Sequence, residues 1–233
     1  MAPAQCIEKV FSVPFAIKPS VFFIEGNIGV GKSTLIRKLA ERNPSWSVFY
    51  EPVDFWNQDH LLDRFYVDPV ALAFQLQCRI FESYLPIYAA TQALQLSQPT
   101  TPILIERSAR SAFRVFSKLA LTSNCLTYCD YQKLHRTYHS SFYNCDLHAQ
   151  TIYLQSRSDS AFSRMISRGR LAEVRHVTPD YLTKLSQQHE EEFNSSISDF
   201  KVSHIIPDTP QSQPDDLIKI IQAEDIIRYQ LQL

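Results

Sequence analysis

The chain has 233 residues, of which 45% are hydrophobic and 20% charged, values ordinary for a globular protein with a sizeable core. Its 23 basic and 24 acidic residues give a net charge of −1, so no overall field draws it to nucleic acid or to an anionic membrane. Five scattered cysteines, an odd number, favour a reducing, cytoplasmic location over a disulfide framework.

No apolar run approaches the roughly 18 residues of a membrane-spanning helix. Residues 1–19 are interpreted as a short N-terminal arm, because they lack the basic start of a signal peptide and the arginines of a transit peptide. We therefore expect neither a membrane partner nor a targeting segment.

Short apolar runs typical of buried strands alternate along the chain with segments whose apolar residues recur at helical intervals. This alternation predicts a parallel sheet covered on both faces by helices. A long helical pattern over 69–96 contains Pro86, which should kink or divide that helix. We predict an α/β fold, a three-layer sandwich with a five-stranded parallel sheet, organised as one domain over 1–233. The predicted strands are 20–26, 47–53, 101–108, 150–156 and 201–207, and the predicted helices begin near residues 32, 69, 111, 128, 158, 179 and 217.

The first predicted strand is followed by a phosphate-binding motif, G-x-x-x-x-G-K-S/T. In such a P-loop, backbone N–H groups and the helix N-terminus wrap the phosphates, Lys32 reaches the β/γ oxygens, and Ser33 helps to hold Mg²⁺. The motif predicts a P-loop NTPase-like fold that binds ATP with Mg²⁺. The expected ATP-binding residues here are Gly26, Asn27, Ile28, Gly29, Val30, Gly31, Lys32, Ser33 and Thr34.

Charged residues follow the second and third predicted strands, where ligands bind at the carboxyl edge of such sheets. Glu51 comes after the second strand, and Glu106 and Arg107 end the third. A carboxylate at residue 106 can complete the Mg²⁺ shell, and the guanidinium can anchor an oxygen near the transferred group. Taken alone, Glu51 would be a solvated loop carboxylate, and Glu106 with Arg107 would be a surface ion pair that caps the strand.

Arginines surround the fourth glycine of the chain, Gly169. Arg164 and Arg168 share one helix face, and Arg170 follows the glycine. Converging guanidiniums beside a glycine predict an arginine-rich lid at 168–177 that closes on phosphates. Each arginine by itself would be a solvated surface residue.

The stretches GNIGVGKST, EPVDFW, FQ, ERS and RGRLAE, in this order, resemble the deoxyribonucleoside kinase family over roughly residues 20–206. Within the family, the chain looks closest to mitochondrial thymidine kinase and the multisubstrate insect-type kinases. The resemblance implies transfer of the ATP γ-phosphate, with Mg²⁺, to the 5′-hydroxyl of a deoxynucleoside. It also implies a homodimer formed through the helices at 69–96 and 111–122.

The resemblance also implies roles for individual residues. Glu51 would accept the 5′-OH proton with help from Arg107, Tyr66 and Glu173 would hold the sugar 3′-OH, and Gln75 would pair with the base. Trp56 and Phe116 would pack near the base ring. The implied substrate set is Glu51, Trp56, Tyr66, Phe74, Gln75, Cys78, Glu82, Arg107, Ala112, Phe116 and Glu173, with Arg164, Arg168 and Arg170 on the phosphates and Ser33 and Glu106 on the metal.

Three departures from the family pattern bear on substrate choice. Ala112 stands where deoxycytidine-type members carry aspartate, and a small residue leaves room for the thymine methyl, so we expect a pyrimidine preference that includes thymidine and deoxycytidine. Glu82, one turn beyond Cys78, should lie on the pocket floor and accept from a cytosine amino group, or else pair with Arg79 or Arg110. The stretch from Tyr66 to Gln75 is about two residues shorter than in relatives, which leaves the sugar contacts open.

Other functions fit parts of the pattern. A nucleoside monophosphate (thymidylate) kinase also has a phosphate loop and an arginine lid, but it needs a cationic acceptor site where EPV supplies an anion. A non-catalytic assembly subunit would have no reason to keep Lys32, Ser33, Glu51 and Arg107 together. A regulatory GTPase is disfavoured because no N/T-K-x-D motif is present.

Overall fold

The computed structural model describes residues 21–98, 100–193, 202–207, 217–219 and 221–222. The predicted N-terminal arm at 1–19 and most of the predicted last helix lie outside these residues. The strand at 202–207 is described through its backbone.

A parallel sheet forms the centre of the molecule, with the strand order β2-β3-β1-β4-β5. The central strand, β1, pairs with β3 and with β4, so that Phe23 lies opposite Ile105 on one side and Thr151 on the other. The predicted α/β class and parallel sheet are confirmed. The strands are β1 Val21–Gly26, β2 Ser47–Phe49, β3 Ile103–Glu106, β4 Gln150–Gln155 and β5 Val202–Pro207.

Helices cover both faces of the sheet because side chains along β1 alternate between two hydrophobic cores. Phe22 and Ile24 pack with Ile36 and Leu39 of α1 on one face. Phe23, on the other face, belongs to a larger core built on α4 and its neighbours. The helices are α1 Lys32–Arg42, α2 Val53–Trp56, α3 Leu61–Val67, α4 Pro69–Ser97, α5 Ala109–Ser111, α6 Lys118–Thr122, α7 Tyr128–Ser141, α8 Tyr143–Leu147, α9 Ser158–Arg168, α10 Leu171–His176 and α11 Pro179–Phe193, with a π-helical segment Ala112–Ser117 joining α5 to α6.

The long helix α4 runs without interruption through Pro86, so of the two predicted effects of this proline, a kink or a division, the division does not occur. Proline removes the hydrogen bond to the carbonyl four residues earlier. That residue, Glu82, lies on the exposed side of α4. Within the ranges that the structure describes, neither α4 nor any other helix is both long enough and apolar enough to cross a membrane.

Three loops leave the sheet at one edge and position the site. Because β1, β2 and β3 are parallel, their carboxyl ends meet there. Gly26 ends β1, Glu51 follows β2 by two residues, and Glu106 ends β3. The phosphate-binding motif and the two strand-end carboxylates thus lie at one edge, as the sequence predicts.

Candidate active site

The glycine-rich turn between β1 and α1 is closely enclosed by its neighbours. A Cβ on Gly26 would lie 2.6 Å from the carbonyl oxygen of Leu154, and one on Gly29 would lie 2.2 Å from that of Ala161. Both glycines also have positive φ, at 144° and 79°. The bare backbone at these two positions is therefore required by β4 and α9, and not only by the approach of a phosphate.

Lys32, at the first position of α1, is 5% exposed and points back into the turn. Its Nζ donates to the carbonyl oxygens of Gly26 at 3.3 Å and Asn27 at 3.0 Å. Burial lowers its pKa to about 8, and the Arg107 guanidinium acts in the same direction. The ammonium is thus charged at neutral pH and held where the loop would surround a phosphate.

Asn27 anchors the loop to α11. Its Nδ2 donates to the carbonyl oxygen of Leu182 at 2.9 Å and to Ser186 Oγ at 2.7 Å, while its Oδ1 accepts from the N–H of Ile28 at 2.7 Å. This side chain therefore fixes the turn against α11.

Ser33 and Glu106 form the candidate metal site. Ser33 Oγ donates to Glu106 Oε1 at 2.6 Å, and Glu106 is 4% exposed. Hydroxyl and carboxylate oxygens are the hard donors that Mg²⁺ prefers, with water and phosphate oxygens completing its shell. The donor set fits the expected cation.

Glu51 and Arg107 form a close ion pair at the same edge. Arg107 Nε lies 2.5 Å from Glu51 Oε1, and their side chains are 5% and 15% exposed. Arg107 has a positive φ of 62°, and its guanidinium lies 4.7 Å from the centre of the Phe116 ring. Such a fixed guanidinium holds the carboxylate in one orientation.

Glu25, on β1 behind this pair, is a buried carboxylate that sequence reasoning missed. Its Oε1 accepts from Ser108 Oγ at 2.6 Å. Burial raises the pKa of Glu25 to about 7, although the Arg107 guanidinium opposes the shift. The position of this glutamate inside the apolar run FFIEG is the sequence signal that could have identified it.

The face of α4 that lines the cavity differs from the predicted one. Gln77 is 4% exposed and lines the cavity, and its Oε1 has no hydrogen-bond partner among the described residues. Gln75 is exposed and outside the cavity. Each residue turns a helix by about 100°, so two residues move a side chain to nearly the opposite face.

The other residues predicted beside Gln75 lie outside the cavity as well, which corrects the predicted pocket floor. Phe74 packs near α7, with Lys133 Nζ 5.2 Å from its ring centre, and Cys78 packs against the same core. The Glu82 side chain is 64% exposed, and its Oε2 lies 4.0 Å from Arg79 Nε. Of the two predicted roles for Glu82, the structure therefore shows the pair with Arg79.

The lid arginines meet at Glu173 on α10. Arg168 donates to Glu173 Oε2, and Arg170 Nη1 donates to Oε1 at 3.3 Å. Gly169 ends α9 with a positive φ of 76°. Arg164 lies beside the phosphate loop, with Nη1 3.4 Å from the carbonyl oxygen of Val30.

One cavity of about 820 Å³ connects these groups. Tyr84 and Tyr181, which sequence reasoning did not single out, also line it. The predicted residues that line it are Ile28, Gly29, Gly31, Lys32, Ser33, Thr34, Glu51, Trp56, Tyr66, Glu106, Arg107, Ala112, Phe116, Arg164, Arg168, Arg170 and Glu173.

A glycine-rich loop that joins a buried parallel strand to a helix, with lysine and serine at the helix start, defines a P-loop nucleotide-binding protein. The model of the deoxynucleoside kinase family matches residues 22–227. The chain therefore belongs to the deoxynucleoside kinase family, and it is an enzyme of that kind.

Several curated proteins similar to this chain are named as nucleoside kinases. The chain is 32% identical over 175 residues to a thymidine kinase of Ictalurid herpesvirus 1, covering 73% of this chain and 72% of that protein. It is 28% identical over 190 residues to deoxycytidine kinase 1 of Xenopus laevis (72% of this chain, 71% of that protein). It is 29% identical over 191 residues to a mitochondrial deoxyguanosine kinase of the same species (72% and 70%).

Proposed function

We propose that this deoxynucleoside kinase prefers pyrimidines, with thymidine and deoxycytidine both accepted. The observation that carries the proposal is the buried amide of Gln77, a residue that lines the cavity and whose Oε1 has no hydrogen-bond partner among the described residues. An unsatisfied buried acceptor costs free energy that a ligand donor recovers. An amide offers one donor and one acceptor, and by turning over it can pair with thymine or with cytosine.

Ala112 and the aromatic side chains around Gln77 set the size of the base site. Ala112 is 4% exposed at the cavity wall and leaves room for a 5-methyl group. Trp56, tied to Ser83 Oγ by its Nε1 at 2.8 Å, and Phe116 give the base flat apolar surfaces. Tyr84 occupies the cavity wall two turns beyond Gln77, where a larger purine would need space.

Glu51 is the proposed general base. It accepts the 5′-OH proton as O5′ bonds to the γ-phosphorus and the bond to the departing ADP oxygen breaks. Arg107, paired with Glu51, holds that carboxylate and stabilises charge on the migrating group. Lys32 and the loop N–H groups bind the donor phosphates.

Mg²⁺ would be held by Ser33 and Glu106 and would neutralise charge on the ATP phosphates. Tyr66 and Glu173 are proposed to hold the sugar 3′-OH. In that arrangement Arg168 and Arg170 would exchange their contacts with Glu173 for phosphate oxygens as the proposed lid at 168–177 closes.

A homodimer is a further proposal from the resemblance. Leu85 and Leu96 on α4 are 50% and 82% exposed, which permits a helix-to-helix contact between two copies. Light scattering after size-exclusion chromatography, comparing the wild type with Leu85→Glu, tests it. A wild type of monomeric mass would contradict it.

The paired variants Gln77→Leu and Gln75→Leu test the base site. Both change the same side chain on one helix, but only residue 77 lines the cavity. We expect Gln77→Leu to lower kcat/KM for thymidine and deoxycytidine about 100-fold or more, because a base edge is left unpaired. Gln75→Leu should match the wild type.

Initial rates with the four deoxynucleosides provide the readout. The proposal predicts faster turnover of both pyrimidines than of either purine by the wild type. Faster turnover of purines would contradict it, as would equal losses in the two variants.

A further inference from the structure

His189 on α11 is fully buried and contacts a residue of the reaction centre. Its Nδ1 lies 2.7 Å from the carbonyl oxygen of Leu185, and its Nε2 lies 3.3 Å from Arg107 Nη1. A guanidinium can only donate and a carbonyl can only accept. The ring must therefore be neutral, with its proton on Nδ1 and its lone pair on Nε2 directed at Arg107.

The surroundings of His189 favour this neutral form. Phe116 meets the ring edge to face at 5.8 Å, and Tyr153 stacks on it at 6.1 Å. Burial lowers the pKa of His189 well below its ordinary value, and the positive charges of Arg107 and Lys32 act in the same direction. The hydrogen bond to Leu185 opposes this shift.

Among the described residues, Glu51 and His189 both contact the side chain of Arg107. Arg107 Nε pairs with the Glu51 carboxylate, and the guanidinium lies over the Phe116 ring. The backbone N–H of Arg107 donates to the carbonyl oxygen of Ile24. In the described part of the chain, His189 Nε2 accepts from Arg107 Nη1. Without it, the guanidinium could pivot about the bond to Glu51.

We propose that His189 is a positioning residue, which fixes the guanidinium of Arg107 against Glu51 and thereby sets the geometry of phosphoryl transfer. The inference rests on the proposed roles of Glu51 and Arg107. The same face of α11 holds Asn27 of the phosphate loop through Leu182 and Ser186. One helix thus orients both the donor-phosphate loop and the arginine beside the acceptor.

The variants His189→Asn and His189→Gln separate the two hydrogen bonds of the ring. The asparagine amide reaches only to the position of Nδ1, so it keeps a donor for Leu185 and removes the acceptor for Arg107. The longer glutamine amide reaches toward the position of Nε2 and restores that acceptor. The control is His148→Asn, because His148 is exposed and lies at the opposite end of β4 from the site.

We expect His189→Asn to lower kcat for thymidine about 10- to 100-fold, the range for a lost hydrogen bond to a charged group, with little change in KM. His189→Gln should regain most of the kcat, and the control should equal the wild type. Equal losses in the asparagine and glutamine variants would contradict the inference, as would an effect on KM alone.

Imidazole nitrogen NMR of the wild type tests the same contact without turnover. We expect a neutral Nδ1–H tautomer that persists over about pH 6 to 8. An imidazolium or an Nε2–H tautomer would overturn the inference even in an active enzyme. Absence of deoxynucleoside phosphorylation by the wild type would instead count against the proposed function.

Discussion

At the end of the cavity beside the phosphate loop (the phosphate end), charged side chains contact one another or backbone groups. The end around Gln77, where we propose that the base binds (the base end), is mostly apolar. Arg107 binds Glu51, Ser33 binds Glu106, and Lys32 binds two loop carbonyls. The base end places aromatic and aliphatic groups around Gln77, whose amide oxygen has no partner among the described residues. In the proposed mechanism the contrast separates two tasks: the fixed charges serve the reaction common to all substrates, and the amide of Gln77 selects among bases.

A buried carboxylate supports each end, with different partners. Glu25 lies behind the phosphate end, bonded to Ser108 and close to Arg107. Asp146, on α8, accepts from Tyr88 at 2.5 Å and Tyr138 at 3.0 Å, and the ring of Tyr88 packs against that of Tyr84 on the cavity wall. Burial raises the pKa of each to about 7. Behind Tyr84, two phenol hydroxyls thus surround a carboxyl group that stays protonated up to about pH 7.

The substitution Glu51→Gln tests the phosphate end and should have the largest effect. The amide keeps the shape of the carboxylate but cannot accept the 5′-OH proton. We expect kcat to fall about 10²- to 10⁴-fold, with a small change in the KM for thymidine. Steady-state kinetics measure both constants. Asp54→Asn, an exposed change on α2, is the control, and near-wild-type turnover by Glu51→Gln would exclude this base.

The substitution Ala112→Val tests the base end and should have a smaller, selective effect. Two added methyl groups would occupy the space that we assign to the thymine methyl. We expect kcat/KM for thymidine to fall about 10-fold more than that for deoxycytidine, within the range for a steric misfit. Parallel losses for both nucleosides would show that Ala112 does not discriminate between them.

The substitution Asp146→Asn tests the support of the base end through stability. The folded protein keeps residue 146 protonated up to about pH 7, while the unfolded chain ionises it near the ordinary 3.8. The folded state therefore binds the extra proton between these values, and its stability falls as pH rises. The wild type should lose up to about 1.4 kcal/mol per pH unit relative to Asp146→Asn across this window.

Urea unfolding at several pH values measures this difference. The stability difference between the wild type and the variant should level off above pH 7, where Asp146 is ionised in both the folded and the unfolded states. A wild-type stability that rose relative to the variant between pH 4 and 7 would show that the buried carboxylate is charged in the folded protein.

The sequence was most informative where function depends on neighbouring residues. The phosphate loop is a continuous motif, so the positions of Lys32 and Ser33 followed from it. Glu51 and Glu106 followed from the rule that parallel strands end at one edge. These predictions required only the strand order along the chain, not the packing of side chains.

Sequence reasoning was weaker where a helix face had to be assigned. The FQ pair indicates Gln75, but Gln77, two residues later on α4, lines the cavity instead. His189 could not be found, because its contact with Arg107 joins residues 82 positions apart. Such contacts arise from packing, and local patterns do not encode them.

A crystal structure with thymidine and a non-hydrolysable ATP analogue tests the central claim most directly. The account predicts O5′ within about 2.6–3.2 Å of a Glu51 carboxylate oxygen, with the thymine edge on the amide of Gln77. A nucleoside whose O5′ lies beyond contact with Glu51 in the closed enzyme, or whose base lies away from Gln77, would contradict it.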